Sequence, residues 1–231
     1  MAKTRVLVVD DDPAISRLLS TNLKARGYEV ITAMDGAEAL EALDSEIVDL
    51  VILDIMMPKV DGVEVCRRIR EWSRVPIIML SAMGDEKGKV NCLELGADDY
   101  LTKPFGMAEL IARLNTALRH ADTSNVAPMP ATFNSGELEI NFPGRRVTVN
   151  GTEVKLTPTE YSLLQHMVAN VDKVLTHSML LQKVWGEEYY SEKEYLRVFI
   201  GRLRKKIEAN PENPKYIVTV PGVGYHFAQT S

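Results

Sequence analysis

Six side chains suited to holding cations and anions stand where apolar segments end. Asp10, Asp11 and Asp12 follow the run Arg5 to Val9, Asp54 follows Leu50 to Leu53, Ser81 closes Pro76 to Ser81, and Lys103, followed by Pro104, closes Tyr100 to Lys103. If these runs are parallel strands, their carboxyl ends deliver all six groups to one crevice, the place where open α/β sheets bind ligands. Carboxylates crowded there repel one another by on the order of several kcal/mol when partly dry, and a divalent cation relieves that repulsion. Oxygen ligands of this kind suit Mg²⁺. A solitary acidic cluster is more often a helix cap or a solvated loop; four strand ends carrying complementary groups favour a binding site.

The elements that must position these groups alternate regularly. Between the candidate strands, with Glu29 to Ala33 as the second of five, lie helical patterns near Ala14 to Ala25, Ala37 to Leu43, Val63 to Glu71, Lys87 to Leu95 and Met107 to Arg119, each with apolar residues three and four apart. Such alternation implies right-handed crossovers and a mostly parallel sheet covered on both faces. Asp12 before Pro13 is a helix-start signal, and Gly27 and Gly96 stand where helices end.

At 231 residues the chain has room for two domains, each able to bury a core. Hydrophobic and charged contents of 45% and 26% are those of a soluble globular protein. No apolar run approaches the roughly 18 residues of a membrane span. The apolar run at Val6 to Val9 is too short for an export signal, so a cytoplasmic protein without a membrane partner is expected. Cys66 and Cys92 fall inside helical patterns without a second metal-ligand cluster nearby and are read as reduced, partly buried thiols. The net charge of −5 argues against a strongly basic nucleic-acid protein, yet it is unevenly spread: residues 1 to 120 hold 15 Lys and Arg against 20 Asp and Glu, while residues 121 to 231 hold 12 against 12. Within the neutral half, Lys193 to Lys206 carries six basic side chains and one acidic one, Glu194, a local footprint that a phosphate backbone would attract.

Residues 122 to 135 lack periodicity and are rich in Thr, Ser, Asn, Pro and Ala, which predicts a linker between a domain at 1–121 and another at 136–231. Beyond it, alternation from Gly136 to Leu156 predicts a small sheet with a turn at Asn150-Gly151. Helical patterns then start at Pro158, Ser178 and Glu192, and two strands bracket Pro221-Gly222-Val223-Gly224. Three helices and a hairpin make a winged helix-turn-helix pattern. On the last helix, Leu196, Ile200, Leu203 and Ile207 form one buried stripe. Rotation then turns Glu194, Val198, Gly201, Arg202 and Lys205 outward, with Arg197 and Arg204 at the flanks, as a basic ridge for a major groove. Arg202 and Val198 are expected at base edges, and Arg197, Arg204 and Lys205 at phosphates.

Residues 3 to 120 resemble the receiver domain of two-component response regulators. The resemblance rests on Val8-Val9-Asp10-Asp11-Asp12, Leu53-Asp54-Ile55-Met56-Met57-Pro58 with Asp61-Gly62, Leu80-Ser81-Ala82, and Gly96-Ala97-Asp98-Asp99-Tyr100 leading to Lys103-Pro104-Phe105, all in family order and spacing. Residues 136 to 229 resemble the effector domain of the OmpR/PhoB subfamily through Leu156-Thr157-Pro158-Thr159-Glu160-Tyr161, Val184-Trp185-Gly186, Arg202-Leu203-Arg204-Lys205 and Gly222-Val223-Gly224-Tyr225. The implied fold is a CheY-like (βα)5 receiver with a five-stranded parallel sheet, linked to an α+β winged helix-turn-helix domain. The segments Trp72-Ser73-Arg74-Val75-Pro76 and Tyr195-Leu196-Arg197-Val198 are also similar to those of potassium-responsive regulators of the KdpE type.

The resemblance implies that Asp54 accepts a phosphoryl group from a sensor histidine kinase, with Asp10, Asp11, Asp54 and the Met56 carbonyl holding Mg²⁺. Lys103 would supply a fixed cation, Ser81 a hydrogen bond to the acyl phosphate, and Ser81 with Tyr100 the switch pair. Pro104 would follow a cis peptide. Lys89, Glu94, Asp98, Asp99, Glu109 and Arg113 would pair across a two-fold axis in a homodimer formed on phosphorylation and bound to double-stranded promoter DNA as a direct repeat, with RNA polymerase a further partner. Three positions depart from the pattern: Asn115 stands where the family often has a basic residue, and Pro221 and His226 stand at commonly basic wing positions.

Two rival functions make different demands on the residues. An aspartyl-phosphate phosphatase of the haloacid dehalogenase kind would place a second Asp two residues after Asp54, where this chain has Met56, so an enzyme is disfavoured beyond self-catalysed phosphoryl transfer. A phosphorylation-independent winged-helix regulator with a metal-only receiver has no need for Asp54, Ser81 and Lys103 together.

Overall fold

In the computed structural model the chain divides into two compact units, Met1–Ala121 and Asp122–Ser231. Residues 3–82, 86–121, 131–189 and 192–230 are described, without the side chains of residues 86–89. The expected linker at 122–130 therefore lies outside the described residues.

In the first unit, strands β1 (Arg5–Val9), β2 (Glu29–Ala33), β3 (Leu50–Asp54), β4 (Ile77–Ala82) and β5 (Asp99–Lys103) alternate with helices α1 (Pro13–Lys24), α2 (Gly36–Ser45), α3 (Gly62–Trp72), α4 (Glu86–Glu94) and α5 (Met107–Ala121). The sheet is parallel, in the order β2-β1-β3-β4-β5. Its central strands are continuous apolar runs because helices cover both faces. Val6, Val8, Leu50, Ile52, Ile78 and Leu80 pack in one core with Leu19 and Leu23 of α1 and Leu110 and Leu114 of α5. The alternate residues Leu7, Val51, Leu53 and Met79 are also fully buried, as the two-residue period of a strand requires. Aspartates start three of the helices: Asp12, Asp35 and Asp61 accept backbone N–H groups of α1, α2 and α3, an arrangement that satisfies otherwise orphaned donors.

The second unit opens with an antiparallel sheet of β6 (Thr132–Ser135), β7 (Leu138–Asn141), β8 (Arg146–Val149) and β9 (Thr152–Glu153). Residues 132–135, expected as linker, thus form a strand, with Phe133 opposite Ile140 and Ser135 opposite Leu138. Asn150 and Gly151 both take positive φ, 52° and 73°, as a tight hairpin requires. Helices α6 (Pro158–Val168), α7 (His177–Val184) and α8 (Lys193–Ile207) follow, with a 3-10 turn at Glu187–Tyr189. The strands β10 (Leu175–Thr176), β11 (Ile217–Val220) and β12 (Gly224–Phe227) form a second sheet in the order β10-β12-β11, and its last two strands are the wing. A capping box starts α6: Glu160 N donates to Thr157 Oγ1 and Thr157 N to Glu160 Oε2. Trp185 packs edge-on against Tyr195 and Phe199, which ties α8 to the end of α7. No described helix is long and apolar enough to cross a membrane.

Candidate functional site

The acidic pocket follows from sheet register. β1 and β3 are neighbours with Val9 opposite Leu53, so Asp10 and Asp54 emerge side by side. β4 lies beside β3 and β5 beside β4, which brings Ser81 and Lys103 to the same end of the sheet. Asp10 and Ser81 are fully buried, Asp54 is 5% exposed, and Asp11 is exposed. Carboxylate oxygens of Asp10, Asp11 and Asp54 lie within 4.8 Å of one another. Lys103 Nζ lies 2.8 Å from both Asp10 Oδ2 and Asp54 Oδ1, and the Lys103–Pro104 peptide is cis. Asp12 N donates to the other oxygen of Asp10 at 2.9 Å.

Burial pushes the Asp54 carboxyl up from its ordinary pKa, the charges of Asp10 and Asp11 add to that, and the bond from Lys103 offsets only part of it. For Lys103, burial favours the neutral amine, but its two carboxylate partners outweigh this and raise the pKa. Ser81 Oγ has no hydrogen-bond partner among the described residues. A buried hydroxyl in that state has hydrogen-bonding capacity that no described residue uses. The set fits a hard divalent cation: three carboxylates converge, and one protein cation does not neutralise them. Met56 sits in the loop after β3 with its side chain 70% exposed.

One support of the pocket and one brace at the opposite end of the sheet had only indirect sequence signals. A Cβ on Gly62 would lie 2.0 Å from the Asp54 carbonyl oxygen, so the start of α3 rests directly on the backbone of Asp54. Arg70, at the other end of α3, donates to the Gly96 carbonyl at 2.9 Å and to Asp98 Oδ2 at 2.7 Å. The glycine was visible in the Asp61-Gly62 pair, but nothing in the sequence linked Arg70 to Asp98.

The expected dimer charges are redistributed. Asp98 and Asp99 are 2% and 3% exposed and belong to intramolecular pairs, Asp98 with Arg70 and Asp99 with Arg113 at 2.9 Å. Their short side chains sit at the start of β5, where α3 and α5 each bring an arginine within reach. Arg113 also pairs with Glu109, one turn away. Glu94 and Glu109 are exposed, and the Lys89 side chain lies outside the described residues. Asn115 accepts a bond from the Tyr28 hydroxyl at 2.9 Å. Tyr100 is half-buried on β5.

On α8 the exposed arc is narrower than the apolar stripe implied. Arg197 and Lys205 are exposed and Val198 is half-buried at the surface. Arg202 does not point outward: it is 5% exposed, its Nη2 lies 2.8 Å from Glu160 Oε1, and its guanidinium lies over the Phe199 ring. The contact with Oε1 is an ion pair, not an aligned hydrogen bond. Arg204, expected at a phosphate, donates to the Ile217 carbonyl and to Thr219 Oγ1. Lys206 closes the cluster around Glu160 at 2.6 Å. Together these cations hold the Glu160 carboxyl below its ordinary pKa although burial alone, the largest single influence, would raise it.

Comparison with known proteins agrees with both halves. Residues 6–115 match the response regulator receiver domain, and residues 151–227 match the C-terminal domain of transcriptional regulatory proteins. The chain belongs to the two-component response regulators with an OmpR/PhoB-type DNA-binding domain, and it is a transcriptional regulator of that system. It is 43% identical over 224 residues to the transcriptional regulatory protein KdpE of Mycobacterium tuberculosis, covering 97% of this chain and 99% of that protein. It is also 43% identical over 234 residues to the probable transcriptional regulator ycf27 of Cyanophora paradoxa, covering 99% and 98%. Among solved structures it resembles the response regulator DrrB of Thermotoga maritima, an OmpR/PhoB homolog, with a TM-score of 0.53, 33% identity, and coverage of 98% of this chain and 100% of that one.

Proposed function

We propose that Asp54 is the phosphoacceptor of this regulator and that its acyl phosphate, formed from a sensor histidine kinase, drives dimerisation and promoter binding. The observation that carries this is the pairing of a carboxylate tethered by Lys103 with the unpartnered buried hydroxyl of Ser81. An Asp54 carboxylate oxygen forms a bond to phosphorus as the phosphorus–nitrogen bond of the donor phosphohistidine breaks, and the imidazole leaves with the electron pair. Asp10, Asp11, Asp54 and the Met56 carbonyl would hold Mg²⁺, which would supply positive charge against the phosphoryl oxygens. Lys103 supplies a fixed positive charge beside the acceptor oxygen, and Ser81 donates its hydroxyl to the arriving phosphoryl group. The same groups support self-catalysed transfer from small phosphodonors and later hydrolysis, but no reaction on an external substrate.

Movement of Ser81 toward the phosphoryl oxygens leaves space that Tyr100 fills, which shifts a pre-existing equilibrium. The dimer face lies on α4, β5 and α5 and draws on Lys89, Glu94, Asp98, Asp99, Glu109 and Arg113, with Asp99 acting by orienting Arg113 of α5. A dimer presents two copies of α8 to a direct repeat, with Arg197 and Lys205 at phosphates and Val198 at base edges, and a bound dimer is a platform for RNA polymerase. The site of action is the cytoplasm. Mass spectrometry and sedimentation after incubation with acetyl phosphate and Mg²⁺ test this: wild type gains one phosphoryl group and shifts toward dimer, and Asp54→Asn does neither. Label retained on Asp54→Asn would move the acceptor elsewhere.

A further inference from the structure

β11 is an edge strand whose outer side needs partners. The sheet order β10-β12-β11 gives it one neighbour, β12. Tyr216 O accepts from Ala228 N, so the Tyr216 carbonyl turns toward the neighbour strand, whereas the Tyr216 N–H and both backbone groups of the next residue, Ile217, meet side chains outside the sheet. Ile217 is fully buried, and an unpaired N–H or C=O there would be costly. Two side chains of the recognition helix region satisfy both groups. Glu208 Oε1 accepts the Ile217 N–H at 2.8 Å and the Tyr216 N–H at 2.9 Å, and its Oε2 accepts the Lys215 N–H at 2.8 Å. Arg204 donates to the Ile217 carbonyl from Nε at 3.0 Å and from Nη2 at 2.6 Å, and Nη2 also donates to Thr219 Oγ1 at 2.8 Å. Arg204 and Glu208 are four residues apart, one helical turn, so the end of α8 presents an acceptor and a donor where a further strand would have presented its backbone. The guanidinium also lies 5.8 Å from the centre of the Tyr225 ring on β12, so it touches both strands of the wing.

The wing itself carries no permanent cation: no Lys or Arg occurs between Tyr216 and the end of the chain, and Val223, 43% exposed, stands in its turn. A hairpin of this kind cannot anchor itself on DNA by neutralising phosphates; what it can contribute is shape, and shape depends on its angle to α8. We propose that Arg204 and Glu208 are positioning residues that preset the wing against the recognition helix, and that neither contacts a phosphate. The inference rests on the assignment of this unit as DNA-binding, but not on phosphorylation of Asp54.

The test uses the full chain and two duplexes, one recovered by selecting a randomised 30-base-pair pool with the wild type and one of arbitrary sequence. Arg204→Gln should weaken binding to the selected duplex about tenfold, the equivalent of one charged hydrogen bond, and leave the slope of log affinity against log salt unchanged. Arg197→Gln, at an exposed cation, should reduce that slope by about one. Glu208→Ala removes a negative charge and on electrostatics alone would strengthen binding; the clamp requires it to weaken binding to the selected duplex as Arg204→Gln does. Should Glu208→Ala fail to fold, Glu208→Gln, which keeps one acceptor oxygen, should give an intermediate loss. A fall of about one in the slope for Arg204→Gln would make Arg204 a phosphate contact and overturn the inference. Unchanged affinity of folded Arg204→Gln for the selected duplex would reduce both residues to scaffolding and overturn it as well. Failure of the wild type to select any sequence, both untreated and after incubation with acetyl phosphate and Mg²⁺, would instead refute the DNA-binding assignment itself.

Discussion

Replacing Arg202 by Met should weaken the folding of the C-terminal unit by about 3 kcal/mol without removing a phosphate contact. The side chains of Arg202 and Glu160 are 6% and 0% exposed, so the substitution leaves a buried carboxylate short of one partner. Breaking a buried pair from one side costs about 3 to 5 kcal/mol. Two partners survive, the Thr157 N–H at 2.8 Å and Lys206 at 2.6 Å, which moves the cost to the lower end of that range. Loss of the guanidinium over Phe199 adds roughly 0.5 to 1 kcal/mol, and the methionine stem retains part of the packing. Trp185, 1% exposed, reports unfolding of this unit by fluorescence, while Trp72 in the receiver is already 54% exposed and changes less. With a urea dependence of about 2 kcal/mol per molar, the midpoint should fall by about 1.5 M. An unchanged midpoint accompanied by loss of DNA affinity would refute the burial of Arg202 and return it to the groove.

Other expectations follow from the same contacts. Because the Glu160 carboxyl is held below its unfolded value of 4.5, its contribution to stability is fully present above that value and is lost as pH falls through the lower folded value. Urea titrations in that acid range should show this pH dependence for the wild type and a flatter one for Glu160→Gln. Gly62→Ala places a methyl group 2.0 Å from the Asp54 carbonyl oxygen, so it should lower receiver stability by roughly 2 kcal/mol in thermal melts and slow labelling by acetyl phosphate. Wild-type labelling kinetics in Gly62→Ala would mean that α3 gives way without disturbing Asp54.

The receiver was almost fully legible because its strands are uninterrupted apolar runs and its chemistry sits at their ends. Leu50 to Leu53 was expected and Leu50–Asp54 is observed, and Arg5–Val9 and Glu29–Ala33 match at both ends. Residues 132–135 read as linker because Thr132-Phe133-Asn134-Ser135 has one large apolar side chain, and its strand character comes from pairing with β7. Arg202 was misplaced for a similar reason. The periodicity of α8 located the stripe of Leu196, Ile200, Leu203 and Ile207, but the width of the buried arc is set by α6. The capping-box signal at Thr157 and Glu160 was present in the sequence, yet it says nothing of a second carboxylate oxygen reaching a residue 42 positions later.

The register of β1 against β3 also determines which changes in chain length this pocket can survive. Val9 lies opposite Leu53, and the two carboxylates follow as lateral neighbours. Side chains along a strand alternate between faces, so adding or deleting one residue inside either strand turns its aspartate to the opposite face of the sheet and separates the pair. An insertion in the turn that enters β3, near the bond between Arg5 N and Asp49, lies at the other end of both strands and leaves the pair in place. The protein can therefore vary in length in the turns at the floor of its sheet, while β1 and β3 themselves accept only exchanges of one residue for another.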